Sequence, residues 1–321
     1  MKKILIVLTT ALLLAACSND NDPAAINDGR RVPLQVRGYI ADTPLGITRA
    51  SNSSWEADDQ IGLYALFHNT TTPIEDGSNV CYIFAGTPEP TNGSTYKAFT
   101  STTTINLPED GSPIDVYGYY PYSAGPPIDP TAMAVNLSTQ NPQKNIDLMT
   151  TGKVSTSTHD GNTLISINEP SCELLFRHRL TKLEFNLTFI DFDDIKNTSL
   201  TIGSQKTTAT YNIYTDELTY GSGEAYQTIT AAEISSSNDN LKTFEAIVLP
   251  NHADNNRTPN ERKVTIVVDG KSYSFTIVKT GADSNNKVLT DSFDAGYKYV
   301  YNVTVYPFTI TVDPDKYTEQ W

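Results

Sequence analysis

Short runs in which apolar residues return at every second position, each ended by glycine, proline, asparagine or aspartate, commit this chain to β-sheet. Val32-Pro33-Leu34-Gln35-Val36-Arg37-Gly38-Tyr39-Ile40 alternates apolar and polar after its proline. Ile61-Gly62-Leu63-Tyr64-Ala65-Leu66-Phe67 is almost continuously apolar, the pattern of a strand buried on both faces. Asp115-Val116-Tyr117-Gly118-Tyr119-Tyr120-Pro121-Tyr122 is aromatic and stops at a proline, which cannot donate to a ladder. A second block runs from Glu173–Leu180 into Leu183–Phe189, then Phe244–Leu249 and Lys263–Val268. Asp269-Gly270 turns that block into Ser272–Val278, and Asp-Gly between alternating runs is a strong hairpin signal. Tyr299–Val305 and Phe308–Val312 close the series, with Pro307 between them. Helical periodicity is nearly absent, so the chain reads as sandwiches or barrels. The polar stretch from Asn141 to Asn168 is the expected join between two units. The resulting division is a leader at 1–17, a tether at 18–30, a first β unit at 31–165 and a second at 166–321.

The leader has its own chemistry. Met1-Lys2-Lys3 is positive and Ile4–Leu14 is apolar, far shorter than the ~20 residues that cross a bilayer. Leu14-Ala15-Ala16-Cys17 follows, which marks a cleaved secretory signal. Cys17 resembles the acylated cysteine of bacterial lipoprotein signals, where several acyl chains together anchor a protein stably. Ser18-Asn19-Asp20-Asn21-Asp22-Pro23 is polar and acidic, as a tether should be. Acidic residues behind the lipid cysteine resemble the surface-export signal of some Gram-negative lipoproteins. The expected location is therefore the outer face of the outer membrane.

Composition narrows the partners. The net charge is −14, and an acidic chain repels phosphate backbones, so nucleic acid is not an expected partner. There are 18 tyrosines against 2 tryptophans, which suits half-buried strands and watery rims. Of 3 cysteines, Cys81 and Cys172 read as separate buried thiols. No Cys/His spacing fits a zinc site, and no cofactor is expected. Asp191-Phe192-Asp193-Asp194 lacks the glycine and closing glutamate of a calcium loop. His68, His159, His178 and His252 are scattered, and no nucleophile elbow, zincin helix or phosphate loop is present. No catalytic residue is assigned. His178 alternates with Phe176 and Leu180, which makes it a satisfied histidine on their face.

Five sets of residues then resemble one family. Thr48-Arg49-Ala50, Trp55 and Asp58-Asp59-Gln60-Ile61-Gly62-Leu63-Tyr64 resemble the opening of the fimbrillin family, the subunits of type V pili. Tyr117–Tyr122, Asp147-Leu148-Met149 and Leu175-Phe176-Arg177-His178-Arg179-Leu180-Thr181-Lys182-Leu183 resemble later family elements, in family order. Each also has a plain physical reading. Trp55 is a core plug beside the Ile61 strand, and Asp58, Asp59 and Gly62 shape a turn and permit close approach.

The resemblance implies two tandem transthyretin-like Greek-key β-sandwiches, exported as a lipoprotein. It implies that an arginine-specific surface protease cuts after the first strand. A neighbouring fimbrillin-like subunit then fills the groove, so subunits join head to tail as a homo- or heteropolymer. Carried onto this chain, the removable strand is Val32–Ile40 at one edge of its unit, and the cut falls at Arg49-Ala50. Arg30, Arg31 and Arg37 rank lower, because cutting there would not free that strand. The donor strand is Phe308, Ile310 and Val312, alternating with Thr309 and Thr311. Two plainer readings compete with these. Arg49 is an ordinary surface arginine, or the last strand folds back on its own unit. A different class is a glycan-binding lipoprotein that keeps its lipid and does not polymerise. That class requires exposed aromatics near Tyr119–Tyr122 or Tyr211–Tyr220.

Overall fold

The computed structural model describes residues 31–41, 54–86, 97–125, 128–159, 161–221, 225–238, 240–250, 263–277 and 293–320, the side chains of 235–238 and 313–320 excepted. The all-β expectation holds among these residues, with one short 3-10 turn at Gln143–Asn145 beside the strands. The first strands are β1 (Gln35–Ile40), β2 (Gln60–Phe67), β3 (Val80–Phe84), β4 (Lys97–Thr100), β5 (Ile114–Tyr120), β6 (Met133–Asn136), β7 (Met149–Val154) and β8 (Ser171–His178). All but β6 join a closed barrel in the order β1-β4-β3-β2-β5-β7-β8.

Closure is the departure from expectation. The strand before Arg49 was expected at an edge, yet β1 is bonded on both sides. It runs antiparallel to β4 and parallel to β8, where Gln35–Ile40 pairs with Ser171–Phe176. Its alternation gives it one inward apolar face. Leu34, Val36 and Ile40 all belong to the barrel core with Leu63, Phe99, Leu174 and Phe176. The expected border at 165/166 lies ahead of β8, which is hydrogen-bonded into the barrel. The change of sheet comes at Arg179–Leu180.

The Ile61 run is buried on both faces, as its composition indicates. Ile61, Leu63 and Ala65 enter the barrel core. Tyr64 and Leu66 point outward into a second cluster with Tyr119, Met133, Val135 and Tyr211. That cluster includes residues of β6 and of β11 (Thr208–Asn212), which with β12 (Glu217–Tyr220) form a three-stranded sheet, β12-β11-β6. Gly62 sits opposite Tyr119, and a Cβ there would lie 2.0 Å from a ring carbon of Tyr119. The expected close approach is thus to an aromatic ring rather than to backbone.

The remaining strands form two sheets over one shared core. Those strands are β9 (Thr181–Phe189), β10 (Thr198–Gln205), β13 (Gln227–Thr230), β14 (Ala232–Asn238), β15 (Leu241–Val248), β16 (Lys263–Val268), β17 (Lys271–Thr276), β18 (Tyr297–Tyr306) and β19 (Thr309–Gln320). Five lie in the order β14-β15-β9-β18-β19 and four in the order β13-β10-β16-β17. Phe185, Phe244 and Tyr301 of the first sheet meet Leu200, Val264 and Tyr273 of the second. The Asp269-Gly270 turn is in place: Val268 pairs with Lys271, and both turn residues have positive φ.

One polar knot pins the barrel wall. Asp115 is 1% exposed, and its carboxylate accepts from Ser155 Oγ at 2.7 Å and from the Asn69 N–H at 2.8 Å. His68 Nδ1 lies 2.7 Å from the same carboxylate and Lys153 Nζ 3.7 Å away. Burial pushes the Asp115 carboxyl up, but the hydrogen bonds and Lys153 outweigh it and hold it below the usual carboxylate range. A depressed folded pKa adds stability above the unfolded value and loses it as pH falls through the folded one. Urea unfolding between pH 7 and pH 3 should therefore show a stability loss on acidification that Asp115→Asn reduces. An unchanged slope in the variant would contradict this assignment.

Candidate functional site

The site is the seat of β1. Its backbone is held along its whole length. Leu34 N–H donates to Ile105 O, Gln35 N–H to Pro170 O and Ala41 N–H to Phe176 O, each at 2.8 Å. Beneath it stands Trp55, 9% exposed, with its ring edge-on to Phe99 at 5.0 Å and to Phe176 at 5.1 Å. Trp55 Nε1–H donates to Gly38 O at 3.1 Å, so the indole binds β1 directly. Trp55 is the core plug that the sequence indicated. The turn after it is also as read: Asp58 has positive φ, and the Glu56 N–H donates to Asp59 Oδ2 at 2.8 Å.

Gly38 carries the closest contact of the seat. Val36 and Ile40 point inward on either side of it. A Cβ on Gly38 would lie 2.8 Å from Phe99 Cε2 and 3.5 Å from Phe176 Cε2. Phe99 is itself packed against Phe84 at 5.8 Å and against Trp55. Nothing in the alternation of β1 announced this constraint beyond the presence of a glycine at an inward position.

The expected donor residues lie outside the barrel, in and beside the last strand of the five-stranded sheet. Ile310 and Val312 are on β19, opposite Val305 and Val303 of β18, and pack partly against the second core. β19 is the last strand of its sheet and pairs with its own neighbour in this form. Phe308 does not alternate with them on the strand. It sits in the two-residue turn between Tyr306 and Thr309 and is 96% exposed. Cys17, Arg49 and Ala50 lie outside the described residues.

Other candidates resolve into structure. His178 is 3% exposed and its Nδ1 lies 2.8 Å from Asp147 Oδ1, so the histidine is partnered within the fold. Cys172 is buried in the barrel core and Cys81 is half-buried, both as free thiols, and burial raises both. An acidic cleft of about 240 Å³ between the barrel and β14–β15 is lined by Trp55, Asp59, Tyr120, Glu233 and Glu245. Burial raises the carboxyls of Asp59 and Glu245, but each is partnered, by Tyr120 Oη–H at 3.2 Å and by Lys182 Nζ at 2.7 Å. Among the described residues no cluster of three metal-ligating side chains is present. Tyr119, Tyr120 and Tyr211 are buried, whereas Tyr122 and Tyr214 are half-buried and Tyr220 is exposed.

The architecture is thus a closed seven-stranded barrel beside a two-sheet unit, with no cluster of three metal-ligating side chains among the described residues. The fimbrillin-like family model matches residues 48–321. A relative from Bacteroides uniformis described as fimbrium subunit Fim1C is 32% identical over 318 residues, covering 95% of this chain and 91% of that protein. The chain belongs to the fimbrillin-like family. A crystal structure described as that of a cell-adhesion protein of Bacteroides uniformis superposes with a TM-score of 0.66 at 27% identity, covering 92% of this chain and 98% of the other. A second, from Bacteroides ovatus, shares the fold with a TM-score of 0.62 at 17% identity, covering 91% and 98%.

Proposed function

We propose that this protein is a subunit of a surface fimbrium, exported as a lipoprotein through Cys17 and assembled by exchange of β1 for a strand from a neighbouring subunit. The observation that carries the reading is the seat of β1. The strand is one stave of a barrel, hydrogen-bonded to β4 and β8 on its two sides. Its withdrawal leaves two open strand edges and an apolar trough floored by Trp55, Phe99 and Phe176. Such a trough binds an extended segment through main-chain hydrogen bonds and alternate side chains. Without β1 the barrel becomes an open six-stranded sheet whose free edges are β4 and β8.

Arg49-Ala50 lies between β1 and Trp55, so a cut there by an arginine-specific surface protease severs β1 from the rest of the barrel while sparing its staves. The cut also detaches β1 together with the lipid at Cys17, moving the subunit from outer membrane to fimbrium. β19, with Ile310 and Val312, is the chain's own candidate donor, since it is an edge strand with one neighbour to leave.

The test is treatment of the purified precursor with an arginine-specific protease, followed by N-terminal sequencing and electron microscopy. A new terminus at Ala50 is the expected result. A precursor that resists cutting there, or that is cut and keeps its β1 permanently, contradicts the reading. The second reading, a lipid-anchored glycan binder, needs a cleft at the surface. A cleft of about 570 Å³ lies beside β6, lined by Tyr122, Ser123, Asp129, Met133 and Asn136. Glycan capture by the intact lipidated chain would favour it.

A further inference from the structure

We infer that the seat of β1 selects its occupant by a single position, the one held by Gly38, and that its natural incoming strand comes from a different subunit carrying glycine there. The inference rests on the strand-exchange reading and adds to it the identity of the partner strand.

The selecting contact is geometric. Three inward side chains, Leu34, Val36 and Ile40, fill the trough, and Gly38 stands between the last two. Any other residue at that place drives its Cβ to 2.8 Å from Phe99 Cε2, well inside the ~3.5–4.0 Å of a comfortable carbon contact. Phe99 can yield only by displacing its own packed neighbours. It is 4% exposed, with Trp55 edge-on at 5.0 Å and Phe84 at 5.8 Å. The Trp55 indole N–H also fixes the depth of the strand, because it bonds Gly38 O at 3.1 Å. An occupant that rode higher to relieve the ring contact would lose that bond and leave a buried donor unpaired. The trough therefore asks for an apolar-x-apolar-x-glycine-x-apolar segment.

The chain's own last strand does not meet that demand. Phe308–Gln320 contains no glycine. Sliding its apolar residues along the trough two at a time places Ile310, Val312 or Pro314 over Phe99. The first two are β-branched, and proline removes an N–H that the ladder needs. A copy of this chain is thus a poor donor to another copy.

The experiment uses the full chain with a cleavage site for an unrelated, sequence-specific protease inserted between Asp42 and Ser53. After the cut, β1 is held only by non-covalent contacts. Fluorescent synthetic peptides are then offered, and capture is read by anisotropy and by mass spectrometry of the released strand. One peptide carries the sequence Arg31–Ala41, the second the same sequence with Gly38→Val, and the third Phe308–Gln320. The first should replace β1, the second should bind about tenfold or more weakly, as overpacking a filled core does, and the third should not enter. Phe99→Leu in the barrel should restore capture of the valine peptide. If that variant fails to fold, the peptide comparison on the unaltered barrel decides alone. Equal capture of the glycine and valine peptides, or entry of Phe308–Gln320, overturns the selectivity and leaves strand replacement standing. Failure of the glycine peptide to enter removes the replaceable strand itself, and the inference with it.

Discussion

Trp55→Ala should cost the protein about 3–5 kcal/mol, the usual penalty for deleting a large buried aromatic. The damage should be concentrated at β1. The indole is the common neighbour of Phe99, Tyr120 and Phe176. It is also the side chain that hydrogen-bonds the β1 backbone. Its loss removes both the floor of the trough and a direct tie to the strand. Urea unfolding gives the global loss, and hydrogen exchange followed by mass spectrometry gives its location. Amides of Gln35–Ile40 should exchange much faster in the variant, while those of β9 and β15 stay protected. Trp55→Phe keeps most of the apolar volume and deletes the donor, so its cost should be nearer 1 kcal/mol. Uniform loss of protection across both units would mean that Trp55 supports the fold generally rather than the seat of β1.

Lys182→Met is expected to be as severe, about 3–5 kcal/mol near neutral pH, because it strands a buried carboxylate. Lys182 and Glu245 are 2% and 5% exposed and their charged atoms lie 2.7 Å apart. Burial already raises the Glu245 carboxyl, and Lys182 is the main group opposing that rise. Without the lysine the carboxyl rises further. A group whose folded pKa is raised favours the fold while protonated, and that advantage is lost as pH rises through the folded value. The variant's deficit should therefore be small in acid and grow as pH climbs toward neutrality. Adding Glu245→Gln should recover much of it, since no charge is then left unpaired. Urea unfolding across pH 4 to pH 8 measures both effects. A deficit that does not change with pH would show that Glu245 is not buried as an ion.

The strands were legible because burial imposes a period of two on a sheet, and this chain obeys it. The Ile61 run declared two buried faces, and both exist, one in the barrel and one against β6 and β11. Asp269-Gly270 declared its hairpin through the two positive φ values that the turn requires. Trp55 was legible as a plug because a lone tryptophan ahead of an apolar run has few other uses. Pairing was not legible. Alternation tells which face a residue occupies but not which strand lies beside it. The parallel bond between β1 and β8 joins Val36 to Cys172 across most of the first half of the chain. His178 gave no hint of Asp147, because the two meet only where Met149 of β7 pairs with His178 of β8. Phe308 looked like a strand residue by its spacing. Pro307 beside it bends the chain one residue earlier, and Phe308 becomes the tip of a turn.

A reversible lock on β1 tests the central claim most directly. Arg37 and Ala98 are cross-strand partners on β1 and β4, and both are exposed. Directly opposite antiparallel residues lie at a Cα separation that a disulfide spans. In the chain carrying Arg37→Cys and Ala98→Cys, cut between β1 and Trp55, the Arg31–Ala41 peptide should displace β1 after reduction and fail to displace it while the disulfide is closed. Displacement at the same rate in both states would mean that added strands bind elsewhere. No displacement even when reduced would mean that β1 is a permanent part of the barrel.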